Sequence, residues 1–202
     1  IAILADSGCQ IPVDSRENEG IFIAPLTITM EGKSYLDDIE IHSIDVFKRM
    51  EKDDIMVMTS QPSTGSLQEA VQKIKDQGYS HVIGLPIATG LSSTMNGMKL
   101  ACDMLEMPVT LVDTKGTASN QKYLVEVAAK LAREGKSPEE IKDILEKLVE
   151  DSATIIMVPN LEHLKKGGRI TPAVAALAGL LKIVPIMKLN YSLGGKIDSF
   201  GK

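Results

Sequence analysis

Two hydroxyl-rich segments contain the residues of this sequence that are best suited to bind a small anion. Residues 59–66 read TSQPSTGS and residues 88–94 read ATGLSST, and each segment lies between a strand-like run and a helix-like run. Hydroxyl groups and free backbone N–H groups at a helix N-terminus favour a carboxylate or a phosphate, because the helix dipole is positive there. The loops that follow parallel strands meet at one edge of an α/β sheet, where ligands bind. We therefore expect both segments to face the same crevice.

Helix capping and catalysis also use hydroxyl groups at such positions. Plain capping accounts for the first segment, since Ser66 followed by Glu69 forms a capping box. In the second segment, residues 90–94 read GLSST, one residue away from the G-x-S-x-G motif of serine hydrolases, but Thr94 stands where that sharp turn requires Gly. None of the three histidines is an obvious base for Ser92: His42, His81 and His163. Anion binding, capping and hydrolysis at Ser92 all remain open, as does binding of a phosphorylated small molecule.

A third segment, residues 160–170, reads NLEHLKKGGRI and combines a helix end with an isolated arginine. Lys165 and Lys166 before a pair of glycines are typical of the last turn of a helix. Arg169 follows the glycines directly, and its guanidinium can pair with the anion of a ligand or with the acidic surface of a partner.

Residues 37–42, with the sequence DDIEIH, contain groups that can bind a metal ion. A hard cation needs several converging oxygens, whereas alternating polar and apolar residues are typical of an exposed strand or loop edge. We therefore expect no metal site here. Asp6 and Ser7, at the end of the first predicted strand, either face the crevice or cap a turn.

Alternation of β-branched runs with amphipathic helical stretches predicts an α/β fold with a mainly parallel sheet flanked by helices. The predicted strands of this N-terminal lobe are 1–5, 21–30, 55–58, 81–85 and 109–112. The predicted helices are 44–51, 64–77, 93–105, 119–134 and one that begins with the capping box of Ser137 and Glu140.

The pattern changes after about residue 152, which predicts two lobes, 1–152 and 153–202. The second lobe is expected to be more antiparallel. Its predicted elements are a strand at 154–158, a helix at 160–166, an Ala/Leu-rich helix capped by Thr171-Pro172, and a hairpin of 183–190 with 196–200. Because the chain starts in an apolar run and stops after a strand-like segment, we expect the second lobe to be only a beginning and the sequence to be part of a longer protein.

Composition narrows the class of protein. The 202 residues carry a net charge of −5, and only 3% are aromatic, which argues against nucleic acid as a partner. The most apolar stretch, 173–187, contains Lys182 and Pro185 and is shorter than the ~20 apolar residues of a membrane-spanning helix. Two cysteines, Cys9 and Cys102, are far apart and favour a reducing, cytoplasmic location over a disulfide framework.

Taken in order, these motifs resemble those of the DegV family, the bacterial fatty-acid-binding proteins that include the carrier subunits of fatty acid kinase. The matching segments are Asp6-Ser7, 24–27 (APLT), 32–37 (GKSYLD), 59–63 (TSQPS), 91–94 (LSST) and 160–170 (NLEHLKKGGRI). The resemblance covers the whole chain. It implies two α/β lobes that enclose one long-chain fatty acid, with no cofactor and no catalysis by this chain.

The resemblance also implies roles for particular residues. Thr59 and Ser92 would hold the carboxylate of the fatty acid, with Ser93 as a further contributor. The partner would be an ATP-dependent kinase that makes acyl phosphate, and Lys165, Lys166 and Arg169 would contact that partner or the anion. The sequence departs from the family pattern in two places: Pro159 replaces an acidic residue, and Ser93 replaces the usual Gly. The alternative remains a serine-dependent acyl-ester hydrolase that uses Ser92.

Overall fold

The structure, a computed structural model, describes residues 1–53, 55–158, 161–172, 174 and 185–200. The strands are β1 (Ala2–Asp6), β2 (Ile21–Ala24), β3 (Thr27–Met30), β4 (Lys33–Leu36), β5 (Val57–Ser60), β6 (Val82–Leu85), β7 (Val109–Leu111), β8 (Ala153–Met157), β9 (Ile186–Asn190) and β10 (Asp198–Ser199). The helices of this part of the chain are α1 (Ser43–Asp53), α2 (Thr64–Asp76), α3 (Thr94–Met104), α4 (Ala118–Arg133), α5 (Pro138–Glu150) and α6 (Glu162–Gly167).

A four-stranded parallel sheet with the order β2-β1-β6-β7 forms the centre of the fold. The central strand β1 is buried along its whole length, with Ile3 opposite both Ile21 and Ile83. Apolar residues of α4 and α5 cover one face of the sheet, and those of α2 and α3 cover the other. This architecture confirms the predicted α/β class, because parallel strands that are buried on both faces read as continuous apolar runs.

The prediction of a single strand at 21–30 is wrong. The run is divided into β2, in the parallel sheet, and β3, in a second, antiparallel sheet with the order β4-β3-β5. Pro25 lies at the break and has no N–H group to continue a ladder. The next amide, that of Leu26, donates to the Ser7 hydroxyl at 3.0 Å instead of to a strand.

The predicted strand at 55–58 is also shifted. The observed β5 pairs antiparallel with β3, with Thr59 opposite Ile28, so Thr59 and Ser60 are the last residues of a strand rather than part of a loop. β4, which the sequence did not predict, follows β3 through the two-residue turn Glu31-Gly32, where both φ angles are positive. Such a turn matches the twist of a hairpin.

The predicted helices between residues 44 and 167 are confirmed, with small shifts at their ends. Ser137 and Glu140 form the expected capping box at the start of α5. The expected box of Ser66 and Glu69 is wrong: α2 begins earlier, and Ser63 is the cap, its hydroxyl accepting from the Ser66 amide at 3.0 Å.

A third sheet, β10-β9-β8, is antiparallel and contains the predicted C-terminal hairpin. Its buried face packs against Ala88 and Leu91 of the β6–α3 connection. At Gly90 a Cβ atom would lie 2.1 Å from the carbonyl oxygen of Gly195, so the close approach of these two backbones requires glycine. The predicted Ala/Leu-rich helix after Pro172 lies mostly outside the described residues, and the division at residue 152 stays a prediction.

Candidate ligand-binding cavity

A cavity of about 370 Å³ opens where the three sheets meet. Its lining is mainly apolar and comes from strands of the two antiparallel sheets and from the connections that follow strands of the parallel sheet. The apolar side chains that line it are Leu26, Val57, Met58, Ile87, Leu91, Ile156, Val158, Leu164 and Ile197. The polar residues of its lining are Thr59, Ser60, Gln61, Ser92, Thr117 and Arg169. A mainly apolar lining with a few polar groups suits a ligand that has one long apolar part and one polar end.

Thr59 and Ser92, which the sequence placed at one crevice, both line this cavity. Thr59 comes from the end of β5 in the antiparallel sheet, whereas Ser92 lies in the connection that follows β6 of the parallel sheet. Ser93 does not line the apolar cavity. It faces an adjoining polar chamber, together with Ser92.

Arg169 joins the two hydroxyl-bearing segments. Its guanidinium donates from Nη2 to the carbonyl oxygen of Thr59 at 3.2 Å and from Nε to that of Leu91 at 3.4 Å. A third bond, from Nη1 to the carbonyl of Gly167 at 2.6 Å, fixes the side chain on its own loop. Three of the five N–H donors of the guanidinium are therefore used to hold backbone in place. The other two donors have no partner among the residues that the structure describes.

The hydroxyl of Ser92 is paired with Thr94 rather than with a general base. The two hydroxyl oxygens are 2.8 Å apart, and the Thr94 amide donates to Ser92 Oγ at 3.3 Å. His42 contacts Asp38 at 3.1 Å and His81 contacts Thr110 at 2.9 Å, so both of these rings have other partners. The side chain of His163 lies outside the described residues. Among the residues whose side chains the structure describes, no histidine therefore contacts Ser92.

Asp6 holds in place the connection between β6 and α3, which carries Ser92. This fully buried carboxylate accepts hydrogen bonds from the amide of Ile87 at 2.7 Å, the amide of Gly8 at 3.0 Å and Nε2 of Gln121 at 3.2 Å. It thereby ties the end of β1 to the connection that presents Ser92. Burial raises the pKa of the Asp6 carboxyl to about 6, against the opposing effect of its three donors.

Ser7 likewise holds Leu26, another residue of the cavity lining, in place. Its hydroxyl donates to Asp37 Oδ2 at 2.6 Å and accepts from the amide of Leu26 at 3.0 Å. Burial raises the pKa of Asp37. Neither Asp6 nor Ser7 lines the cavity, and Asp6 caps the turn at residues 7–9, which is the second of the two roles that the sequence suggested. Both residues also hold the backbone around the crevice in place.

The remaining sequence candidates lie outside the cavity. Lys165 and Lys166 are exposed in the last turn of α6, close in sequence to Arg169. In residues 37–42, Asp38 pairs with His42, and the part of the chain that the structure describes contains no group of three metal-ligating side chains. Cys9 and Cys102 are separate, buried thiols. Within the described residues, no helix is both long and apolar enough to span a bilayer.

Sequence reasoning missed most of the apolar lining. Ile156 and Val158 of the third sheet and Leu26 after β2 carry no chemical signal that separates a cavity wall from an ordinary core. Thr117, just before α4, is a polar residue that was also missed. Its position after a parallel strand is the signal that would have identified it.

The fold and its cavity define an α/β protein with a largely apolar cavity beside the ends of its parallel strands. The chain belongs to the DegV family: the family model described as "uncharacterised protein, DegV family" matches residues 1–202. A DegV domain-containing protein of Staphylococcus aureus is 32% identical over 188 residues, which cover 93% of this chain and 67% of that protein.

Solved structures give the same result. A DegV family protein from Thermus thermophilus, described by its fatty acid binding, is 31% identical with a TM-score of 0.84, over 99% of this chain and 70% of that one. DegV of Bacillus subtilis, described as a fatty acid binding protein, is 29% identical with a TM-score of 0.85, over 100% and 71% of the two chains. A stearic acid-binding protein from Eubacterium ventriosum is 26% identical with a TM-score of 0.85, over 98% and 69%. These relatives are binding proteins, the class that the sequence predicted.

Proposed function

We propose that this protein binds one long-chain fatty acid, with its acyl tail in the apolar cavity and its carboxylate between Thr59 and Ser92. The observation that carries the proposal is the composition of the cavity: nine apolar side chains, with the hydroxyls of Thr59 and Ser92 on segments that Arg169 holds together. The fatty-acid-binding relatives with the same fold support it.

A mainly apolar lining with a few hydrogen-bonding groups is what the free energy of fatty acid binding requires. Each methylene removed from water contributes about 0.8 kcal/mol, so an acyl tail provides most of the affinity. A carboxylate in an apolar crevice is costly unless it is hydrogen-bonded. Ser92 is prepared for this task, because its oxygen accepts from the Thr94 amide. When the Thr94 hydroxyl also donates to it, the Ser92 proton is left for a ligand oxygen. Arg169 supplies the compensating charge.

Replacement of the two hydroxyls tests the site. Because hydrogen bonds to a charged group contribute about 1.5–3 kcal/mol each, Thr59→Val and Ser92→Ala should each weaken palmitate binding by roughly tenfold to a hundredfold. The double variant should lose more affinity for palmitate than either single variant. Isothermal titration calorimetry measures both effects, with circular dichroism as the check on folding.

Ser63→Ala is the matched control from the same hydroxyl-rich segment. Ser63 caps α2 and does not line the cavity, so its loss should reduce stability by about 1 kcal/mol and leave palmitate affinity unchanged. A folded Thr59→Val/Ser92→Ala variant with the affinity of the wild type would show that the carboxylate is held elsewhere.

We further propose that the bound fatty acid is presented to an ATP-dependent fatty acid kinase, which phosphorylates its carboxylate. Exposed Lys165 and Lys166 lie four and three residues before Arg169, where a docked partner can reach the polar end of the ligand. Acyl phosphate should form from palmitate and ATP only when a purified bacterial fatty acid kinase and this chain are both present. Formation by the kinase without this chain would remove the carrier role.

A further inference from the structure

A small groove lies beside β2, and none of the described residues that line it also lines the apolar cavity. In the part of the chain that the structure describes, β2 is an edge strand of the parallel sheet. One face of α2, the loop at 13–17 and the end of β4 border this space, which measures about 180 Å³. The groove therefore has room for one long side chain of another molecule.

The floor of the groove is apolar. Phe22, Ile23 and Pro25 are buried at its base. Leu36 and Ile39 extend this apolar surface towards the rim, where Ile39 is 52% exposed. Such a surface favours contact with the methylene groups of a long side chain, because both surfaces are then removed from water. An isolated ion would not use this floor, which therefore indicates an amphipathic occupant.

The rim of the groove is acidic. Its three carboxylates are those of Asp14, Glu17 and Glu69, and Lys73 supplies the single positive charge among the described lining residues. The Lys73 ammonium pairs with Glu17 and, at 3.1 Å, with Asp14 Oδ1, and these two carboxylates raise the pKa of Lys73. Glu69 lies one turn before Lys73 on α2 and has no ion-pair partner among the residues that the structure describes. The cation of the groove is thus already engaged, and Glu69 is left for a cation from outside.

We propose that this groove is a docking site for an arginine side chain of a partner protein. Arginine combines a long apolar stem with a planar guanidinium, which pairs with a carboxylate through two parallel hydrogen bonds. The stem packs on the floor and on Ile39, and the guanidinium bonds to Glu69. The net negative charge of the rim attracts such a partner and repels the carboxylate of a fatty acid. The docking site is therefore independent of the proposed fatty-acid site.

Titration of the isotope-labelled protein with a capped tripeptide, arginine between two alanines, tests this site by NMR. Saturable shifts are expected for amides of residues 13–17, 36–39 and 66–73. Glu69→Gln removes the charge but keeps the shape of the side chain, and it should weaken peptide binding about fivefold, the upper value for an exposed ion pair. Glu150→Gln is the matched control and should leave binding unchanged, because Glu150 is exposed on α5, which covers the opposite face of the parallel sheet from α2.

A second peptide, with neutral citrulline in place of arginine, shows whether the charge of the peptide acts on Glu69. The wild type should bind the citrulline peptide about fivefold more weakly than the arginine peptide, whereas Glu69→Gln should bind both equally. Equal binding of the two peptides by the wild type, or saturable shifts only outside the three segments, would overturn the proposal. If the chain associates with itself in sedimentation and Glu69→Lys dissociates it, a second copy occupies the groove and a separate partner protein is wrong.

Discussion

Asp6 is the residue whose chemistry most directly links the stability of this fold to its cavity. Its folded pKa of about 6 lies above the ordinary value of 3.8, because the carboxylate is buried. On acidification the folded state therefore takes up this proton before the unfolded state does. The contribution of Asp6 to stability is fully present below about pH 4 and is lost as the pH rises through about 6.

This linkage can be measured by comparison with Asp6→Asn. Between pH 7.5 and pH 4, the free energy of unfolding of the wild type should rise relative to the variant by roughly 3 kcal/mol, the value of a shift of about two pKa units. Urea unfolding at several pH values gives the difference. Asp143→Asn, at an exposed position of α5, is the control and should show no such trend. If the difference in the free energy of unfolding between wild type and Asp6→Asn is the same at every pH, the pKa of the Asp6 carboxyl is not raised.

At the scale of single elements, β8 separates the cavity from the outer surface. Ile156 lines the cavity, whereas its neighbour Ile155 is on the other face of the strand and 51% exposed. Ile156→Asn should weaken palmitate binding by about tenfold, since a polar group placed against an acyl tail costs about 1–3 kcal/mol. Ile155→Asn introduces the same chemistry on the outer face and should leave the affinity unchanged. Equal effects of the two variants, measured by calorimetry, would contradict the placement of the tail against this sheet.

The same strand shows how far the sequence could predict the site. Residue type and place after strands indicated the two hydroxyl-rich segments, and the resemblance to the family then singled out Thr59 and Ser92 within them. Two adjacent isoleucines in β8 carry no such signal, since both fit a buried strand equally well. Thr59 lies at the end of a strand rather than in a loop because β5 pairs with β3. That position depends on which strand becomes the partner of β5, and a pairing so distant in sequence is not encoded locally.

At the scale of the whole molecule, the walls of the cavity come from two sheets and from the connections that follow the strands of the third. β5 contributes Thr59, the connection after β6 contributes Ser92, and the third sheet contributes Ile156, while Arg169 bonds to the first two of these segments. A ligand that fills the space contacts all of them at once. Binding should therefore stabilise the sheets together, because any opening that exposes the tail costs hydrophobic free energy in each wall.

Hydrogen–deuterium exchange with and without palmitate tests this cooperation. Amides in residues 57–61, 87–92 and 153–158 should all exchange more slowly with the ligand bound, since local opening of any wall would expose the tail. The outer helix α5 packs on the far face of the parallel sheet, and its amides serve as the internal control, with little change expected. Protection confined to a single sheet would contradict a shared cavity and would place the tail against that sheet alone. If Ile156→Asn abolishes the slower exchange in all three segments, the protection depends on contacts of the acyl tail.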